Sequence, residues 1–493
     1  MLRQPPLPPD TTARLLVEGG DGRITLDPLT GVNRYGCRAT PYPELLSFSS
    51  ATASVISSEA YAAADCLRDK LQQELQHDNE ETVYSRQLQA LRTALLDLCE
   101  LQDQVQTEVI FAASGTDLHH IATQISLAAD KSGLTVLMVD EEETGSGVHA
   151  SISYAAPDIE IITIALREND GSTRPSSLID AEFSSRALQA QALGRQVLLI
   201  QTDVSKTGII APSYECTATL SLTLGDGLDV LIDACQFRIS TATLHACLQR
   251  GYNVAVTGSK FVGGPSFSGA LIIPAQSAKR IRERYLNATP PMPASSAGDI
   301  WQARYIDTGS WGVLLRWEAA LCELRAFRQL PATAVSEFLR RFSDAISHRL
   351  TSDNSFSPVA VPVLQRTGLH QEQSWDEIAS IYTFRVRGAD LRILDAKRLA
   401  TLYRLLPSSA IPCQLAQPVA CVSGKDALRL CLSAHQIVAA CRSDADGARI
   451  IAEAQQVLDQ VVLMTKRQTA RVITHNPAHK ESHLALLKRV SLG

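Results

Sequence analysis

Seven short runs of apolar and β-branched residues recur between positions 108 and 274, most of them separated by segments long enough for a helix. Most runs are nearly continuous in apolar residues, which is typical of strands buried on both faces of a sheet. Strands that alternate with helices in this way form α/β folds. The sequence therefore predicts a large domain built on a mostly parallel seven-stranded sheet. The predicted strands are EVIFAA, LTVLMVD, IEIITIAL, RQVLLIQTD, LDVLIDA, NVAVTGS and GALIIP.

The chain is predicted to contain two domains after an N-terminal segment. Residues 1–80 combine a proline-rich arm with a stretch of small residues, LLSFSSATASVISSEAYAAA. Residues 81–325 are predicted to form the large α/β domain, which begins with the helical leucine spacing of SRQLQALRTALLDLCEL. Residues 326–493 alternate helical segments with strands such as SIYTFRVR and ALRLCLSA. This alternation predicts a smaller C-terminal α+β domain.

Composition limits the classes of function. Apolar residues make up 45% and charged residues 20% of the 493 residues, and the formal net charge is −6. This mild charge argues against a dedicated nucleic-acid or membrane-surface protein. No stretch approaches the roughly 18–20 uninterrupted apolar residues of a membrane span. Eleven cysteines without a CxxC pair indicate reduced thiols, and the start MLRQPPLPPDTT lacks a signal-peptide pattern, so a cytoplasmic protein is expected.

Polar residues follow two of the predicted strands, and open α/β sheets bind ligands at the carboxyl ends of their strands. Ser114, Gly115 and Thr116 follow the first strand and open a helix. Their N–H groups and hydroxyls suit an anion, although helix capping explains the same residue types. Asp233 ends the strand LDVLIDA, where a buried carboxylate needs a cationic or N–H partner. Capping of the following helix is the other interpretation of Asp233.

Lys260 directly follows another predicted strand within VTGSKFVGGP, beside hydroxyls at Thr257 and Ser259. The usual place of a lysine is an exposed turn. A lysine in a cleft at a strand end is desolvated instead, which suits an amine that attacks a carbonyl group. An anion cup, an acid and a lysine at three strand ends together predict a lysine that binds a flat cofactor covalently.

This order resembles the fold-type I pyridoxal-phosphate enzymes, and in detail the class V aminotransferase and cysteine-desulfurase branch. The resemblance covers roughly residues 80–435. DACQ is similar to that branch's Asp-x-x-Gln, and SKTGIIAP is similar to its Asn-x-x-Gly-x-x-x-Pro turn. DTGSWGVLLRWEAAL resembles the Gly-Thr segment through which a neighbouring subunit contacts the phosphate, and ALRLCLSA resembles the arginine-containing strand of the small domain.

The resemblance implies pyridoxal 5'-phosphate as the cofactor, a homodimer and no metal. Lys260 would hold the cofactor as an imine and move protons at Cα, while Asp233 would keep the ring nitrogen protonated. Gln236 would reach the phenolic oxygen, and Arg429 would bind the substrate carboxylate with its planar fork. The implied cofactor-binding residues are Ser114, Gly115, Thr116, Ser205, Asp233, Gln236, Thr257, Ser259, Lys260, Gly309 and Ser310.

Two positions depart from the branch. Ser259 stands where many members carry histidine, and Ser205 stands where asparagine is usual. The residue that stacks on the cofactor ring is expected in EEETGSGVHAS, where Thr144 and His149 are the candidates.

Transamination of an amino acid or amine is the favoured reaction, since a lysine base and a carboxylate clamp suffice for it. A cysteine desulfurase or C–S lyase that uses Cys413, sixteen residues before Arg429, is the alternative. Decarboxylation and carbon–carbon condensation stay open, and a non-catalytic α/β scaffold is the alternative of another class. His119 and His120 lack the spacing of metal ligands and are expected at a surface or interface.

Overall fold

The computed structural model describes residues 11–102, 107–127, 133–156, 158–279, 310–369, 374–421 and 426–475. Its strands are β1 (Leu46–Phe48), β2 (Glu108–Ala112), β3 (Leu134–Val139), β4 (Ile159–Ile164), β5 (Gln196–Thr202), β6 (Leu228–Ala234), β7 (Asn253–Thr257), β8 (Gly269–Ile273), β9 (Phe356–Pro358), β10 (Ile381–Val386), β11 (Cys413–Ala420) and β12 (Asp426–Cys431). The helices are α1 (Thr12–Leu15), α2 (Ser58–Glu74), α3 (Glu80–Leu98), α4 (Gly115–Leu127), α5 (Val148–Ser153), α6 (Ser176–Ala192), α7 (Tyr214–Leu224), α8 (Thr241–Gln249), α9 (Trp311–Arg328), α10 (Ala332–Ser352), α11 (Ala396–Leu405), α12 (Ala434–Ala440) and α13 (Asp444–His475).

The larger sheet has seven strands in the order β2-β8-β7-β6-β5-β3-β4. Its strands pair in parallel except β8, which is antiparallel to β2 and β7. Every residue of β3, β5, β6, β7 and β8 is buried. This burial is the physical reason for the continuous apolar runs, because apolar clusters cover both faces of the sheet. All seven predicted strands lie in this sheet, so the predicted α/β fold class is confirmed.

The smaller sheet has the order β1-β11-β12-β10-β9. The segments SIYTFRVR and ALRLCLSA, predicted as strands, form β10 and β12 and pair antiparallel. The sequence did not predict β1, which pairs in parallel with β11 and places Leu46 opposite Cys413. Because β1 has only three residues among small neighbours, it carries no usable periodicity. The division of the chain at residues 80 and 325 stays a prediction.

A fully buried arginine in α9 holds the N-terminal segment, which we define as residues 11–57. The guanidinium of Arg316 donates hydrogen bonds of 2.5–3.2 Å to main-chain carbonyl groups. Burial of a cation is tolerated when its N–H groups are satisfied. The segment is therefore fixed against the large domain. The accepting carbonyl groups belong to Leu16, Glu18, Gly19 and Phe267.

A second buried arginine fixes the turn that follows β5. Arg366 donates to both carboxylate oxygens of Asp203 at 2.7 and 3.0 Å, and it lies 3.7 Å from Asp376. Asp203 also accepts a hydrogen bond of 2.6 Å from Tyr214. All three charged side chains are fully buried. The cluster ties the segment after β9 to the carboxyl end of β5.

Substitution of Arg366 by methionine is expected to destabilise the fold by about 3–5 kcal/mol, because it leaves buried carboxylates without their cation. The midpoint of urea unfolding measures this loss. Arg341→Met is the matched control, since Arg341 pairs with the exposed Asp444 and such a surface pair contributes at most about 1 kcal/mol. Equal midpoint shifts for the two variants would contradict the role assigned to the buried cluster.

Candidate active site

A cavity of about 480 Å³ lies at the carboxyl ends of the large-sheet strands. Residues of the smaller sheet and of the N-terminal segment complete its wall. The structure brings ten of the predicted site residues to this one cavity, and their roles stay predictions. These ten are Ser114, Gly115, Thr116, Ser205, Asp233, Gln236, Thr257, Ser259, Lys260 and Arg429.

Lys260 lies just beyond β7, in a turn that only small residues allow. A Cβ atom on Gly258 would lie 2.5 Å from the Cβ of Ala320 in α9, so the helix packs directly on this backbone. Ser54 of the N-terminal segment donates its hydroxyl to the carbonyl of Lys260 at 2.8 Å. The backbone N–H of Ser54 donates to the carbonyl of Ser259 at 3.1 Å. Among the described residues the amine of Lys260 has no hydrogen-bond partner, so it can react with a ligand.

Asp233 and His119 form a buried ion pair, with Nε2 3.2 Å from Oδ2. His119 Nδ1 lies 2.8 Å from the carbonyl of Gly115, which can only accept, so Nδ1 carries a proton. Nε2 must also donate, because its partner is a carboxylate. The geometry therefore assigns a charged imidazolium to His119.

Electrostatics support this assignment. Burial alone would lower the pKa of His119, but the Asp233 carboxylate outweighs burial and the net pKa is raised. Burial alone would raise the pKa of Asp233, yet His119 and the nearby Lys260 lower it well below its usual range. Asp233 therefore stays ionised. The expectation of a surface or interface position for His119 is wrong, since its side chain is only 2% exposed.

The start of α4 forms the predicted anion cup. Ser114 donates its N–H and hydroxyl to the Asp117 carboxylate at 2.8 Å, and its hydroxyl accepts from the N–H of Asp117 at 3.4 Å, so this serine caps the helix. A Cβ atom on Gly115 would lie 3.0 Å from Sγ of Cys235, so a larger residue would crowd the cup. The sequence did not reveal Arg23, whose Nη1 lies 3.5 Å from Oγ1 of Thr116. Arg23 adds a positive charge to the cup.

Gln236 and Thr202 present unsatisfied polar atoms to the cavity. The amide nitrogen of Gln236 donates to the carbonyl of Ala51 at 3.0 Å, while its Oε1 is buried and has no partner among the described residues. The hydroxyl of Thr202, at the end of β5, is also buried and finds no partner in the described part of the chain. Buried polar groups are nearly always satisfied in proteins, so these two atoms indicate room for a polar ligand.

The chain is similar to known proteins at the level of the fold. No protein-family model and no curated protein sequence matches the chain. Mouse CSAD is 14% identical, with a TM-score of 0.56 over 87% of this chain and 85% of that one. The cystine C–S lyase C-DES, solved with its product cysteine persulfide, is 15% identical, with a TM-score of 0.54 over 82% and 97%. Oryza sativa TDC, solved with PLP and tryptamine, is 13% identical, with a TM-score of 0.54 over 86% and 84%.

The matched structures are fold-type I enzymes that depend on pyridoxal phosphate. The chain has the type I fold. This finding confirms the resemblance drawn from DACQ and the strand-end lysine at the level of the fold. Sequence identities of 13–15% establish a shared fold but do not establish a shared reaction.

In the type I fold of this chain, the turn after β5 is built around Glu143. The carboxylate of Glu143 accepts hydrogen bonds from Arg167 at 2.9 Å, from Thr207 at 2.7 Å and from Ser205 at 2.6 Å. The hydroxyl of Ser205 donates its proton to Glu143 and accepts from the N–H groups of Thr207 at 3.3 Å and Ile209 at 3.0 Å, so its hydrogen-bonding capacity is used within the turn. Of the two candidates for stacking on the ring, Thr144 lines the cavity and His149 does not.

Two of the predicted residues that the structure describes, Ser310 and Cys413, are not part of the cavity wall. Ser310 donates its hydroxyl to the carbonyl of Glu18 at 3.3 Å, and Gly309 lies outside the described residues. Cys413 is fully buried within β11 and does not line the cavity, and burial raises its pKa to about 11. A thiol that is buried and protonated is a poor nucleophile. The interpretation of Cys413 as a nucleophile is therefore wrong.

Proposed function

We propose that the chain is a pyridoxal-phosphate enzyme that acts at Cα of an amino acid or amine, with Lys260 as the residue that binds the cofactor aldehyde. The observation that carries the proposal is that one cavity holds a lysine amine without a partner among the described residues and a buried carboxylate kept ionised by His119. The type I fold supports it.

The residues of the cavity fit this cofactor. Gly115 leaves the helix N-terminus open to a phosphate, and Arg23 adds a cation beside it. The orphaned oxygens of Gln236 and Thr202 offer partners for ring substituents. Asp233 offers the carboxylate that a protonated ring nitrogen needs. When bound, the cofactor supplies an electron sink for the pair released when a bond at Cα breaks.

The side chains of this chain supply the rest of the chemistry. Asp233, kept ionised by His119, holds a proton on the ring nitrogen. Lys260 moves protons at Cα of the substrate once its amine is free. Arg429 lies across the cavity from the large sheet, on β12, and orients a substrate carboxylate.

Transamination stays the prediction for the reaction. The C–S lyase activity in the name of C-DES keeps carbon–sulfur cleavage as the second candidate. The buried position of Cys413 does not support the desulfurase mechanism that depended on it, whereas β-elimination releases the sulfur as a leaving group and needs no protein thiol. A panel of amino acids, added to PLP-loaded protein with product identification, distinguishes amino transfer from lyase and decarboxylase outcomes. Colourless protein that stays colourless after addition of PLP would support a non-catalytic scaffold and refute the proposal.

A homodimer is also part of the proposal. The resemblance of the segment with Gly309 and Ser310 to one that contacts the phosphate of a neighbouring subunit supports this, and Ser310 does not line the cavity of its own chain. We further propose that the protein acts in the cytoplasm. No helix in the described part of the chain is long and apolar enough to cross a membrane.

Substitution of Arg23 by glutamine is expected to weaken the binding of pyridoxal phosphate about tenfold, the usual effect of losing a charged hydrogen bond. Asp21 binds one edge of the Arg23 guanidinium at 2.7–2.9 Å and leaves Nη1 directed at Thr116. The affinity for pyridoxal, which lacks the phosphate, should not change. Titration of both compounds, followed by absorbance, measures the two dissociation constants.

Arg14→Gln is the matched control, because Arg14 lies in the same N-terminal segment and pairs with Glu18 at the surface. It should leave both affinities unchanged. An equal loss of affinity for pyridoxal phosphate and pyridoxal in Arg23→Gln would show that Arg23 supports the fold of the segment and not the phosphate.

A further inference from the structure

We infer that the substrate carries a second acidic group besides its α-carboxylate, and that Lys206 and Arg429 together bind the two groups. The inference rests on the proposed function, because it concerns the substrate side of the same cavity. It depends on two cations that lie side by side in the wall and have no carboxylate partner among the described residues.

Arg429 is a buried cation that is satisfied only by neutral oxygens. It donates to the carbonyl of Gln417 at 2.8 and 3.3 Å, to the carbonyl of Lys206 at 3.1 Å and to the hydroxyl of Thr52 at 2.9 Å. Four of its five N–H groups are thus engaged, which leaves one on Nη1. In this arrangement Arg429 alone does not offer the two parallel N–H groups of a bidentate clamp.

Lys206 supplies the second cation. Its backbone carbonyl accepts the hydrogen bond from Arg429, so the two residues are direct neighbours. Its half-buried amine donates to the carbonyl of Glu141 at 2.8 Å and keeps two N–H groups for a ligand. Burial, together with the positive charges of Arg429 and Lys260, lowers the pKa of Lys206 to about 8. The carboxylates of Glu143 and Asp140 oppose this shift but do not cancel it.

The neighbouring carboxylates do not neutralise this pair. Glu143 is engaged by Arg167, Ser205 and Thr207, and Asp233 is engaged by His119. Glu141 and Glu142 lie at the exposed rim of the cavity, and neither forms an ion pair with Lys206 or Arg429 in the part of the chain that the structure describes. Asp140 and Glu143 attract Lys206 electrostatically, but neither forms an ion pair with Lys206 or Arg429 among the described residues, so a direct counter-ion has to come from the ligand.

A substrate with one acidic group would neutralise one cation and leave the other facing its side chain. An apolar side chain there would desolvate a charge without compensation, which is costly. A substrate with a second acidic group pairs both cations and gains specificity over apolar amino acids. A side chain with a second carboxylate meets this requirement.

Isothermal titration of PLP-loaded full-length protein with succinate and with butyrate tests the inference, because the two have equal carbon number and differ in one acidic group. Succinate should bind about tenfold more tightly. Lys206→Met should lower the affinity for succinate about tenfold and leave the affinity for butyrate unchanged. Lys206→Arg should keep the preference for succinate over butyrate. Lys70→Met, which removes an exposed lysine of α2, is the matched control and should change neither affinity.

The preference should also fall as the pH rises above about 8, where Lys206 loses its charge. The charged groups that face Lys206 are Arg429, Lys260, Glu143 and Asp140, with Glu141 beside its amine. Lys206→Arg should keep the preference over the same pH range, since arginine stays charged.

PLP-loaded wild-type protein that binds succinate no better than butyrate would overturn the inference and leave the proposed function intact. An equal loss of both affinities in Lys206→Met would also overturn it, because it would show that Lys206 only supports the turn. Protein that does not take up PLP would overturn the proposed function, and the inference with it.

Discussion

Substitution of Lys260 by alanine is expected to abolish covalent retention of pyridoxal phosphate and to lower turnover by about 10²- to 10⁴-fold. The variant loses both the amine that attacks the cofactor aldehyde and the base that moves protons at Cα, and positioned acid–base groups contribute factors of this size. Visible absorbance after gel filtration measures retention, and single-turnover kinetics with an amino acid measures the loss of rate.

Lys206→Ala is the matched control for this prediction, because Lys206 lines the same cavity. It should retain the cofactor, since its role is on the substrate side. Cofactor retention that survives in Lys260→Ala and disappears in Lys206→Ala would show that Lys206, and not Lys260, binds the cofactor covalently.

Substitution of Asp233 by asparagine is expected to lower kcat by at least about 10²-fold while the protein still takes up the cofactor. An amide carries no charge to keep the ring nitrogen protonated, so the electron sink weakens when the bond at Cα breaks. The same change leaves the His119 imidazolium without its carboxylate, which lowers the pKa of the histidine. Stopped-flow absorbance of PLP-loaded protein measures the rate.

His119→Gln provides the comparison for Asp233→Asn. His119 acts through Asp233, so its loss should cost about tenfold, the effect of one charged hydrogen bond. It should also move the lower limb of the pH–rate profile upward, because the pKa of Asp233 rises without the imidazolium. Wild-type turnover in Asp233→Asn would contradict the direct role of Asp233. A larger loss of turnover in His119→Gln than in Asp233→Asn would contradict the supporting role of His119.

The sequence predicts the large sheet well because its strands are buried on both faces. That burial produces seven nearly continuous apolar runs, which a single sequence displays without any long-range information. The convergence of Ser114, Asp233 and Lys260 follows from the direction of the strands in this sheet. The strands that precede these residues run in one direction, so their carboxyl ends meet at one edge.

The rest of the cavity wall comes from contacts between distant parts of the chain. Arg23 and Thr52 belong to an N-terminal segment without clear periodicity, and Arg316 and Ser54 hold that segment in place through main-chain carbonyl groups. Hydrogen bonds from a side chain to a distant main-chain carbonyl group leave no pattern in the sequence. The sequence does not distinguish Lys206 from other lysines in turns, because its place in the cavity depends on a contact with Arg429, more than two hundred residues away.

The buried position of His119 has no signal in the sequence, because its neighbours on the same helix face are polar. His119, Thr123 and Ser126 share one face of α4 and are all buried, so this face packs inward. Cys413 shows a different error. Its spacing before Arg429 matches a pattern, but β11 places its side chain in the core of the small sheet. Spacing alone does not tell which face of a strand a residue occupies.

Borohydride reduction of the PLP-treated protein, followed by peptide mapping, tests the central claim most directly, because it makes the linkage between a lysine and the cofactor aldehyde permanent. We expect the label on Lys260 alone. A label on Lys206, whose pKa of about 8 makes it the rival amine in the same cavity, or no label at all, would contradict the assignment.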